Sequence, residues 1–371
     1  MKPIGINAPK PTAGSIIRFF QLSGKRHLLL TGGRGSGKTT LLRDLLPLLS
    51  ATPVPGIITQ AQPKEAVFLR DALTGESVQI GRYREDLPGT ENKMVPVWEG
   101  FQTLGLSALA DGIQNESPWF FIDEIGYLEG SCGEYCRGIE ALMEHKRLAA
   151  VIRKQELPFL TGLLRRGDVC VVDLDAPFPV CGCVIMASGL GTRFGGNKLL
   201  ADFREKPLLE WILDTTDGLF AKRVVVTRHK EVENLCHRRE IPVILHDLPH
   251  RSDTIRLGLG AMGDSVSSCL FCPGDQPLLS RETLETLLLS AAVTPETIWQ
   301  LSYENTPSAP SLFPSWAFEE LKALPEGKGG SVLTKQYADR LRYVPAQSRY
   351  ECFDVDSPED LEELLNHSDS V

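Results

Sequence analysis

The chain has 371 residues, of which 42% are hydrophobic and 23% are charged. This length allows about two domains of roughly 150 residues, each with its own core. The formal net charge of −9 argues against a general nucleic-acid binder, which is usually basic, so we expect no nucleic-acid partner. No apolar run reaches the length of a membrane span and the first residues lack a signal-peptide core, so we expect no membrane contact and a cytoplasmic location.

The nine cysteines are scattered through the sequence. The two closest pairs, Cys181 with Cys183 and Cys269 with Cys272, lie inside apolar runs, where a small buried residue packs well. A zinc site would need two more ligands at a suitable spacing, and the sequence contains no second C-x-x-C motif. Buried reduced thiols are therefore the favoured interpretation.

The first half of the chain alternates short apolar runs with helical patterns. The run at residues 27–30 leads into a glycine-rich loop, and a stretch with helical periodicity follows that loop. Further apolar runs occupy residues 119–123, 148–153 and 169–174. Buried runs that alternate with helices predict a parallel sheet covered on both faces. Two prolines within residues 173–180 mark the predicted boundary between a domain at 1–178 and a domain at 179–371.

The glycine-rich loop, TGGRGSGKTT at residues 31–40, matches the phosphate-loop motif G-x-x-x-x-G-K-[ST] and lies between a predicted strand and a predicted helix. Glycines let successive backbone N–H groups converge on phosphate oxygens, and the helix N-terminus adds partial positive charge. Lys38 would reach the β- and γ-phosphates, and the Thr39 hydroxyl would bind magnesium. The predicted nucleotide-binding residues are Gly32, Gly33, Gly35, Ser36, Gly37, Lys38, Thr39 and Thr40.

Two acidic residues at the end of the run WFFID complete this prediction. Asp123 is placed to hold the magnesium shell, and Glu124 beside it would orient or deprotonate a water molecule. Either acid alone is more typical of a solvated strand end. The phosphate loop earlier in the chain favours the paired assignment.

Four motifs of the first half occur in the order typical of one family. They are LTGGRGSGKTTLL, GIITQ at residues 56–60, LTGE at residues 73–76 and FIDEIGYLE. Over residues 26–175 the chain resembles the small nucleoside-triphosphatase family of RecA-like P-loop proteins. The resemblance implies slow hydrolysis of nucleoside triphosphates such as ATP or GTP, with Mg²⁺ as cofactor and Lys38 and Glu124 as catalytic residues. Tyr127 and Leu128 differ from the family's usual motif sequence, and this difference bears on packing more than on chemistry.

The second half again alternates apolar runs with helices such as the one predicted near residues 206–216. The runs occupy residues 181–187, 223–228, 241–247, 268–277 and 352–356. This pattern predicts a second α/β layer with its own sheet. The fold class expected for the whole chain is therefore α/β, with two doubly wound three-layer domains.

A second glycine-rich turn, VIMASGLGTRFGGNKLL at residues 184–200, ends the first of these runs. It turns through Gly189 and Gly191 and presents Arg193 and Lys198. No lysine–threonine pair starts a helix here, and a charge within the turn does not suit a dinucleotide fingerprint. Glycines would bring N–H groups to a triphosphate while the two cations neutralise charge on departing pyrophosphate, which predicts nucleotidyl transfer. A solvated turn is the alternative.

Acidic and polar residues farther along the chain support the transfer hypothesis. Asp275 follows an apolar run and would bind magnesium at the α-phosphate. Asp354 and Asp356 lie on the same face of a predicted strand, and one of them would complete the metal site. Residues 251–259 are predicted as a polar turn before a helix, suited to the base or ribose. The residues assigned to that contact are Ser252, Asp253 and Thr254.

This order of motifs resembles the MobA-like nucleotidyltransferases, most closely the molybdenum-cofactor cytidylyltransferase type, over residues 180–366. The matching positions are Gly189, Arg193, Lys198, Gly274, Asp275, Gln276, Pro277, Asp354, Asp356, Pro358 and Asp360. The resemblance implies a Rossmann-like, GT-A-like domain that binds nucleotide through Ala187, Ser188 and Gly189, with Arg193 and Lys198 as catalytic residues. The resemblance to this type favours CTP over GTP, and so does RSDTI at residues 251–255, which is similar to a turn of the isoprenoid-pathway cytidylyltransferases. Ser188, at a position close to the nucleotide base, departs from both types, because it replaces an alanine of the cytidylyltransferases and a glycine of the guanylyltransferases.

The expected function is therefore that of a bifunctional enzyme. Its second half would transfer CMP from CTP to a phosphorylated acceptor such as molybdopterin, releasing pyrophosphate, and a molybdenum hydroxylase would be its client. Two alternatives remain at this stage. One is a nucleotidyltransferase acting on a sugar- or alcohol-phosphate. The other is a nucleotide-gated delivery or assembly protein in which neither site turns over fast.

Overall fold

The structure is a computed structural model that describes residues 9–87, 93–191 and 193–368. The chain folds into two compact units, Met1–Pro177 and Phe178–Val371. The sequence placed the boundary one residue later. Across the described ranges, no helix is both long enough and apolar enough to cross a membrane. Both units are α/β, as the sequence predicted, but each sheet mixes parallel and antiparallel strands.

The first unit contains eight strands and seven α-helices among its described residues. The strands are β1 His27–Gly32, β2 Gly56–Gln62, β3 Ala66–Asp71, β4 Ser77–Tyr83, β5 Met94–Pro96, β6 Trp119–Ile125, β7 Arg147–Arg153 and β8 Val169–Asp173. The helices are α1 Ala13–Ser23, α2 Lys38–Leu49, α3 Trp98–Gly100, α4 Leu106–Gln114, α5 Tyr127–Gly130, α6 Gly133–His145 and α7 Pro158–Arg165, with a π-helical turn at Phe101–Gly105.

The order of strands in the first sheet is β5-β4-β3-β2-β6-β7-β1-β8. The strands from β2 to β8 in this order are parallel, as predicted. Strands β3, β4 and β5 extend the sheet in antiparallel fashion, which the prediction of a parallel sheet missed. The connections from β2 to β3 and from β3 to β4 have only three and five residues, too few for the crossover that parallel pairing requires.

Helices cover both faces of this sheet. Helices α4, α5, α6 and α7 pack on one face, where Leu29, Ile122 and Leu142 belong to a single core. Helix α2 contacts β1, β6 and β7 and packs against α1. Every residue of β1 is buried, as expected for a strand covered on both sides. Thr12 caps the N-terminus of helix α1, because its side chain accepts a hydrogen bond from the Ser15 N–H at 3.2 Å.

The second unit contains nine strands and seven α-helices among its described residues. The strands are β9 Cys181–Ala187, β10 Asp202–Phe203, β11 Lys206–Pro207, β12 Lys222–Thr227, β13 Val243–Leu245, β14 Ser268–Pro273, β15 Ile298–Tyr303, β16 Thr306–Pro314 and β17 Leu341–Pro345. The helices are α8 Leu208–Thr215, α9 Lys230–Arg238, α10 Arg251–Met262, α11 Arg281–Val293, α12 Phe318–Lys322, α13 Ser331–Gln336 and α14 Pro358–Ser368.

The order of strands in the main sheet of this unit is β13-β12-β9-β14-β16-β15-β17. Strands β13, β12, β9 and β14 are parallel, whereas β16 is antiparallel to both of its neighbours. Alternate residues of β9 enter two different cores, with Cys183 and Ile185 in one and Val184 in the other. The unit therefore has three layers. The cysteines are unpaired and all but Cys352 are buried.

Two predicted elements of the second unit are wrong. Residues 352–356 do not form a strand; a 3₁₀ turn at Arg349–Cys352 is followed by an extended segment. Strand β14 is already paired with β9 on one side and with β16 on the other. Residues 353–356 therefore cross beyond the carboxyl end of β14, where the Val355 N–H donates to the Asp275 carbonyl at 3.0 Å. Residues 251–254 are not a turn before a helix, because α10 begins at Arg251 itself.

Candidate functional sites

The glycine-rich loop of the first unit connects β1 to α2. Gly32, Gly35 and Gly37 have φ angles of 147°, 79° and 92°, a region that side chains with a Cβ rarely adopt. A Cβ on Gly32 would lie 2.8 Å from the Ser36 hydroxyl. The glycines therefore permit a tight loop whose backbone leads directly into the N-terminus of α2.

The Lys38 ammonium lies inside this loop. Its Nζ donates hydrogen bonds to the carbonyl oxygens of Gly32 and Gly33 at 2.8 and 2.6 Å, and it lies 3.3 Å from the Ser36 hydroxyl. Burial lowers the pKa of Lys38, although Glu124 and Asp175 act in the opposite direction. The loop therefore holds a cation at its centre, where phosphate oxygens of a nucleotide would approach.

The Thr39 hydroxyl meets Asp123 across 84 positions of the sequence. It donates to the Asp123 carboxylate at 2.8 Å, and Asp123 is only 5% exposed. Burial raises the pKa of Asp123, and the Thr39 hydrogen bond and the Arg43 charge counteract it. A hydroxyl and a carboxylate side by side are hard oxygen ligands of the kind that magnesium prefers, so these residues fit the predicted ion. Thr40, by contrast, is exposed on α2.

Glu124 occupies an irregular position in β6. The pairing of β6 with β7 shifts register between Ile122 and Ile125, and Glu124 has a φ of 104°, which is unfavourable for a residue with a side chain. Its carboxylate forms an ion pair with Arg153. Burial raises the pKa of Glu124, and the charge of Arg153 opposes that rise. Asp123 and Lys38 also act on this pKa, so both acids lie near the phosphate loop.

Asp175 and Lys154 belong to this site although the sequence analysis missed them. Both carboxylate oxygens of Asp175 accept the Gly33 N–H at 2.9 Å. Lys154 pairs with Asp175 at 2.6 Å and with Asp173 at 2.7 Å. These contacts tie the first turn of the phosphate loop to the end of β8. No local motif marks them, because Lys154 is 21 residues from Asp175, and Gly33 is 142 residues from Asp175.

The second unit contains a cavity of about 470 Å³ at the carboxyl ends of β9, β12 and β14. The predicted residues that line it are Ser188, Gly189, Lys198, Thr254, Asp275, Asp354 and Asp356. Its lining also includes three basic residues that the sequence analysis did not single out, namely Arg228, His250 and Arg251. The cavity is large enough for a nucleotide-sized ligand.

Lys198 is the most buried charged side chain of this cavity. Its Nζ lies 2.6 Å from Asp275 Oδ2 and 2.7 Å from Asp356 Oδ1, and its side chain is 9% exposed. Burial alone would lower the pKa of Lys198, but the two carboxylates outweigh it and the pKa is raised. Arg193 pairs with the other oxygen of Asp356 at 2.6 Å. The structure therefore brings both cations of the glycine-rich turn to the predicted metal ligands.

Asp354 lies beside the same group of charges. One of its oxygens accepts a hydrogen bond from the Gln276 amide at 2.9 Å. Burial raises the pKa of Asp354, and the nearby carboxylates of Asp275 and Asp356 add to that rise. The amide oxygen of Gln276 is buried and has no hydrogen-bond partner. Crowded carboxylates and an unpaired oxygen are a donor set that fits a hard divalent cation.

Gly191 is a position that only glycine fits well in the turn between β9 and Lys198. Gly191 has a φ of 59°, and a Cβ there would lie 2.8 Å from the Gly196 carbonyl oxygen. The turn leads into a 3₁₀ turn at Lys198–Leu200 rather than an α-helix. Helix α8 begins only at Leu208, so the second half does not repeat the strand, turn and helix arrangement of the first.

Ser188 defines the other end of the cavity. Its hydroxyl donates to the Val226 carbonyl at 3.0 Å and lies 2.9 Å from His246 Nε2. Burial lowers the pKa of His246, and the positive charge of Arg228 lowers it further. The carbonyl oxygen of Ala187 accepts a hydrogen bond from the Thr227 hydroxyl at 2.9 Å.

Two of the three polar residues at 252–254 do not line this cavity. Asp253 accepts the His250 N–H at 3.0 Å and pairs with Arg256 at 2.8 Å, so it caps α10. Ser252 is 1% exposed. Only Thr254 lines the cavity, because α10 begins at Arg251 and its first turn directs successive side chains to different sides.

Two family models match the two halves of the chain. Residues 27–177 match the family described as NTPase, and residues 183–341 match the MobA-like NTP transferase domain. The chain joins an NTPase domain to a MobA-like NTP transferase domain. The resemblance predicted for each half is thereby confirmed.

Curated relatives divide between the two domains in the same way. The NTPase domain is similar to the nucleoside-triphosphatase THEP1 of Thermotoga sp. (strain RQ2), 28% identical over 40% of this chain and 86% of the relative. The transferase domain is similar to a probable molybdenum cofactor guanylyltransferase of Aquifex aeolicus, 23% identical over 49% of this chain and 89% of the relative. A molybdenum cofactor guanylyltransferase of Pseudomonas aeruginosa is 30% identical over 34% of this chain and 64% of the relative.

The names of these relatives bear on the nucleotide expected at the transferase domain. Both relatives of the transferase domain are called guanylyltransferases, whereas the motifs of residues 180–366 were expected to resemble most closely the cytidylyltransferase type. The comparisons therefore support nucleotidyl transfer without supporting the cytidylyl specificity.

Proposed function

We propose that the transferase domain moves a nucleotide from a nucleoside triphosphate to a phosphorylated acceptor and releases pyrophosphate. The observation that carries this proposal is the buried Lys198 ammonium, shared by Asp275 and Asp356 at one end of the 470 Å³ cavity. In the reaction, an acceptor phosphate oxygen attacks the α-phosphorus and the bond to the bridging oxygen of pyrophosphate breaks. Lys198 and Arg193 stabilise the negative charge that develops on the leaving group.

The carboxylates of the cavity are the proposed ligands of Mg²⁺. Asp275 together with Asp354 or Asp356 would hold the ion, which would neutralise charge at the α-phosphate. Asp275 would then be shared between the ion and Lys198, whose ammonium also pairs with Asp356. Lys198 would neutralise charge on the β- and γ-phosphates.

The donor base is either guanine or cytosine, and separate observations favour each. The names of the relatives favour GTP. CTP is favoured by the resemblance of residues 180–366 to the cytidylyltransferase type, from which Ser188 itself departs. We take GTP as the first candidate. The names of the relatives also make a molybdopterin-type compound the first acceptor to test. A molybdenum hydroxylase is the proposed client, as the resemblance to the cytidylyltransferase type implies.

For the NTPase domain we propose hydrolysis of ATP or GTP. Lys38 and the loop N–H groups bind the phosphates, and Thr39 and Asp123 hold Mg²⁺. Glu124 orients a water molecule for attack on the γ-phosphorus, and the bond to the β-phosphate oxygen breaks to release inorganic phosphate. The contact of Thr39 with Asp123 at 2.8 Å supports this assignment.

The two reactions release different products, and this separates them in one experiment. The full chain is incubated with Mg²⁺ and GTP, CTP or ATP, each with molybdopterin, a sugar phosphate or no acceptor. We expect acceptor-dependent pyrophosphate release with GTP or CTP and acceptor-independent phosphate release with ATP or GTP. Pyrophosphate release with the sugar phosphate alone would identify a different acceptor class. No pyrophosphate with any acceptor would contradict the transferase proposal and favour a delivery protein.

A further inference from the structure

Arg153 lies where the two halves of the hydrolytic site meet. Strand β7 is inserted between β1, which carries the phosphate loop, and β6, which carries Asp123 and Glu124. In the pairing of β1 with β7, Arg153 is the direct partner of Gly32. Because the carboxyl ends of parallel strands lie at the same edge, the last residue of β7 projects between the loop and the two acids.

The guanidinium of Arg153 contacts Glu124 directly. Its Nε forms an ion pair with Glu124 Oε1, and the two side chains are 44% and 29% exposed. The stem of Arg153 passes over Gly126, where an added Cβ would lie 3.0 Å from the arginine Cδ. A glycine at this position leaves room for the arginine to lie against the backbone that follows Glu124.

Glu124 requires such a contact because its own backbone is unfavourable. A φ of 104° is strained for a residue with a side chain, so the surroundings must hold Glu124 in place. The other charged groups near Glu124 are Asp123 and Glu129, which repel its carboxylate, and Lys38, which attracts it but is bonded to the loop carbonyls. Arg153 is the cation that forms an ion pair with Glu124 in the described part of the chain.

We infer that Arg153 is a positioning residue of the NTPase domain, which holds the Glu124 carboxylate toward the phosphate loop for the attacking water. The inference rests on the proposed hydrolysis through Glu124. Arg153 acts through the carboxylate and not on the nucleotide, so its loss should affect turnover more than nucleotide binding. A small displacement of a catalytic group is enough to reduce a rate about 100-fold.

The test uses the full chain and measures phosphate release from ATP and GTP. Arg153→Ala should lower kcat about 100-fold and leave KM within about threefold. Arg153→Lys, which keeps the charge but loses the planar fork, should recover part of the loss. Arg147→Ala is the matched control, because Arg147 begins the same strand and stacks over Trp119, at the other edge of the sheet. It should hydrolyse at the wild-type rate.

A double variant distinguishes positioning from direct action. In the Glu124→Gln background, Arg153→Ala should cause little further loss, because the carboxylate that it holds is gone. An equal loss in both backgrounds would mean that Arg153 contacts the phosphates itself, and the inference would be wrong. A raised KM with unchanged kcat would also overturn it. Full activity of Glu124→Gln alone would instead contradict the proposed hydrolysis. Thermal unfolding of the same samples, followed by circular dichroism, reports whether the NTPase domain of each variant is folded.

Discussion

Replacing Lys198 with alanine removes the most buried charged side chain of the transferase cavity. The carboxylates of Asp275 and Asp356, at 2.6 and 2.7 Å, then lose their common partner. Breaking a fully buried pair costs about 3–5 kcal/mol. Here Asp275 and Asp356 are 22% and 36% exposed, and water screens them, so we expect a loss of about 1–2 kcal/mol in unfolding free energy.

The effect of Lys198→Ala on the reaction should be larger than its effect on stability. Loss of one fixed charge at a developing negative charge costs about 3–4 kcal/mol, so the single-turnover rate of pyrophosphate release should fall about 10²- to 10³-fold. Lys230→Ala is the matched control, since Lys230 is 66% exposed and pairs with Glu233 on α9. It should leave both rate and stability nearly unchanged. A wild-type rate in Lys198→Ala would refute the assignment of the glycine-rich turn as a phosphate site.

Three further predictions concern other parts of the chain. Lys38→Ala should abolish phosphate release and leave pyrophosphate release unchanged, because the two domains have separate cores. Equal loss of the two activities in a folded variant would mean that the sites are coupled. Gly191→Ala should destabilise the transferase domain by about 1–2 kcal/mol, because Gly191 has a φ of 59°. Gly196→Ala should not destabilise it, because a Cβ at Gly196 would meet open space. Equal melting temperatures of the two variants would contradict this prediction. Burial lowers the pKa of His27 to about 4, so the unfolded state takes up a proton first as the pH falls, and the unfolding free energy of the NTPase domain should decrease between pH 6.5 and about 4. Urea titrations in which His27→Gln shows the same pH slope as the wild type would rule out that cause.

The elements that the sequence predicted correctly are those governed by local pattern. The phosphate loop could be recognised because glycines, Lys38 and Thr39 must be adjacent for the loop to close into a helix N-terminus. The buried runs of β1, β6 and β9 are continuous, so their strands could be located without knowing their neighbours. The two domain types followed from the order of such motifs.

The features that the sequence did not predict depend on residues that are distant along the chain. Residues 352–356 look like a strand by composition, but the positions beside β14 are taken by β9 and β16. Asp253 appeared to be a nucleotide ligand, and only the observed start of α10 at Arg251 shows that it caps the helix. The Arg153–Glu124 contact requires β7 to lie between β1 and β6, which no local pattern encodes.

The most direct test of the central claim is acceptor-dependent pyrophosphate release by the full chain with Mg²⁺ and either GTP or CTP. We expect release that requires a molybdopterin-type acceptor, persists in Lys38→Ala and is lost in Lys198→Ala. The base that gives the higher kcat/KM identifies the donor. Absence of pyrophosphate under every acceptor condition, with phosphate release intact, would mean that the Lys198 cluster is not a transfer site.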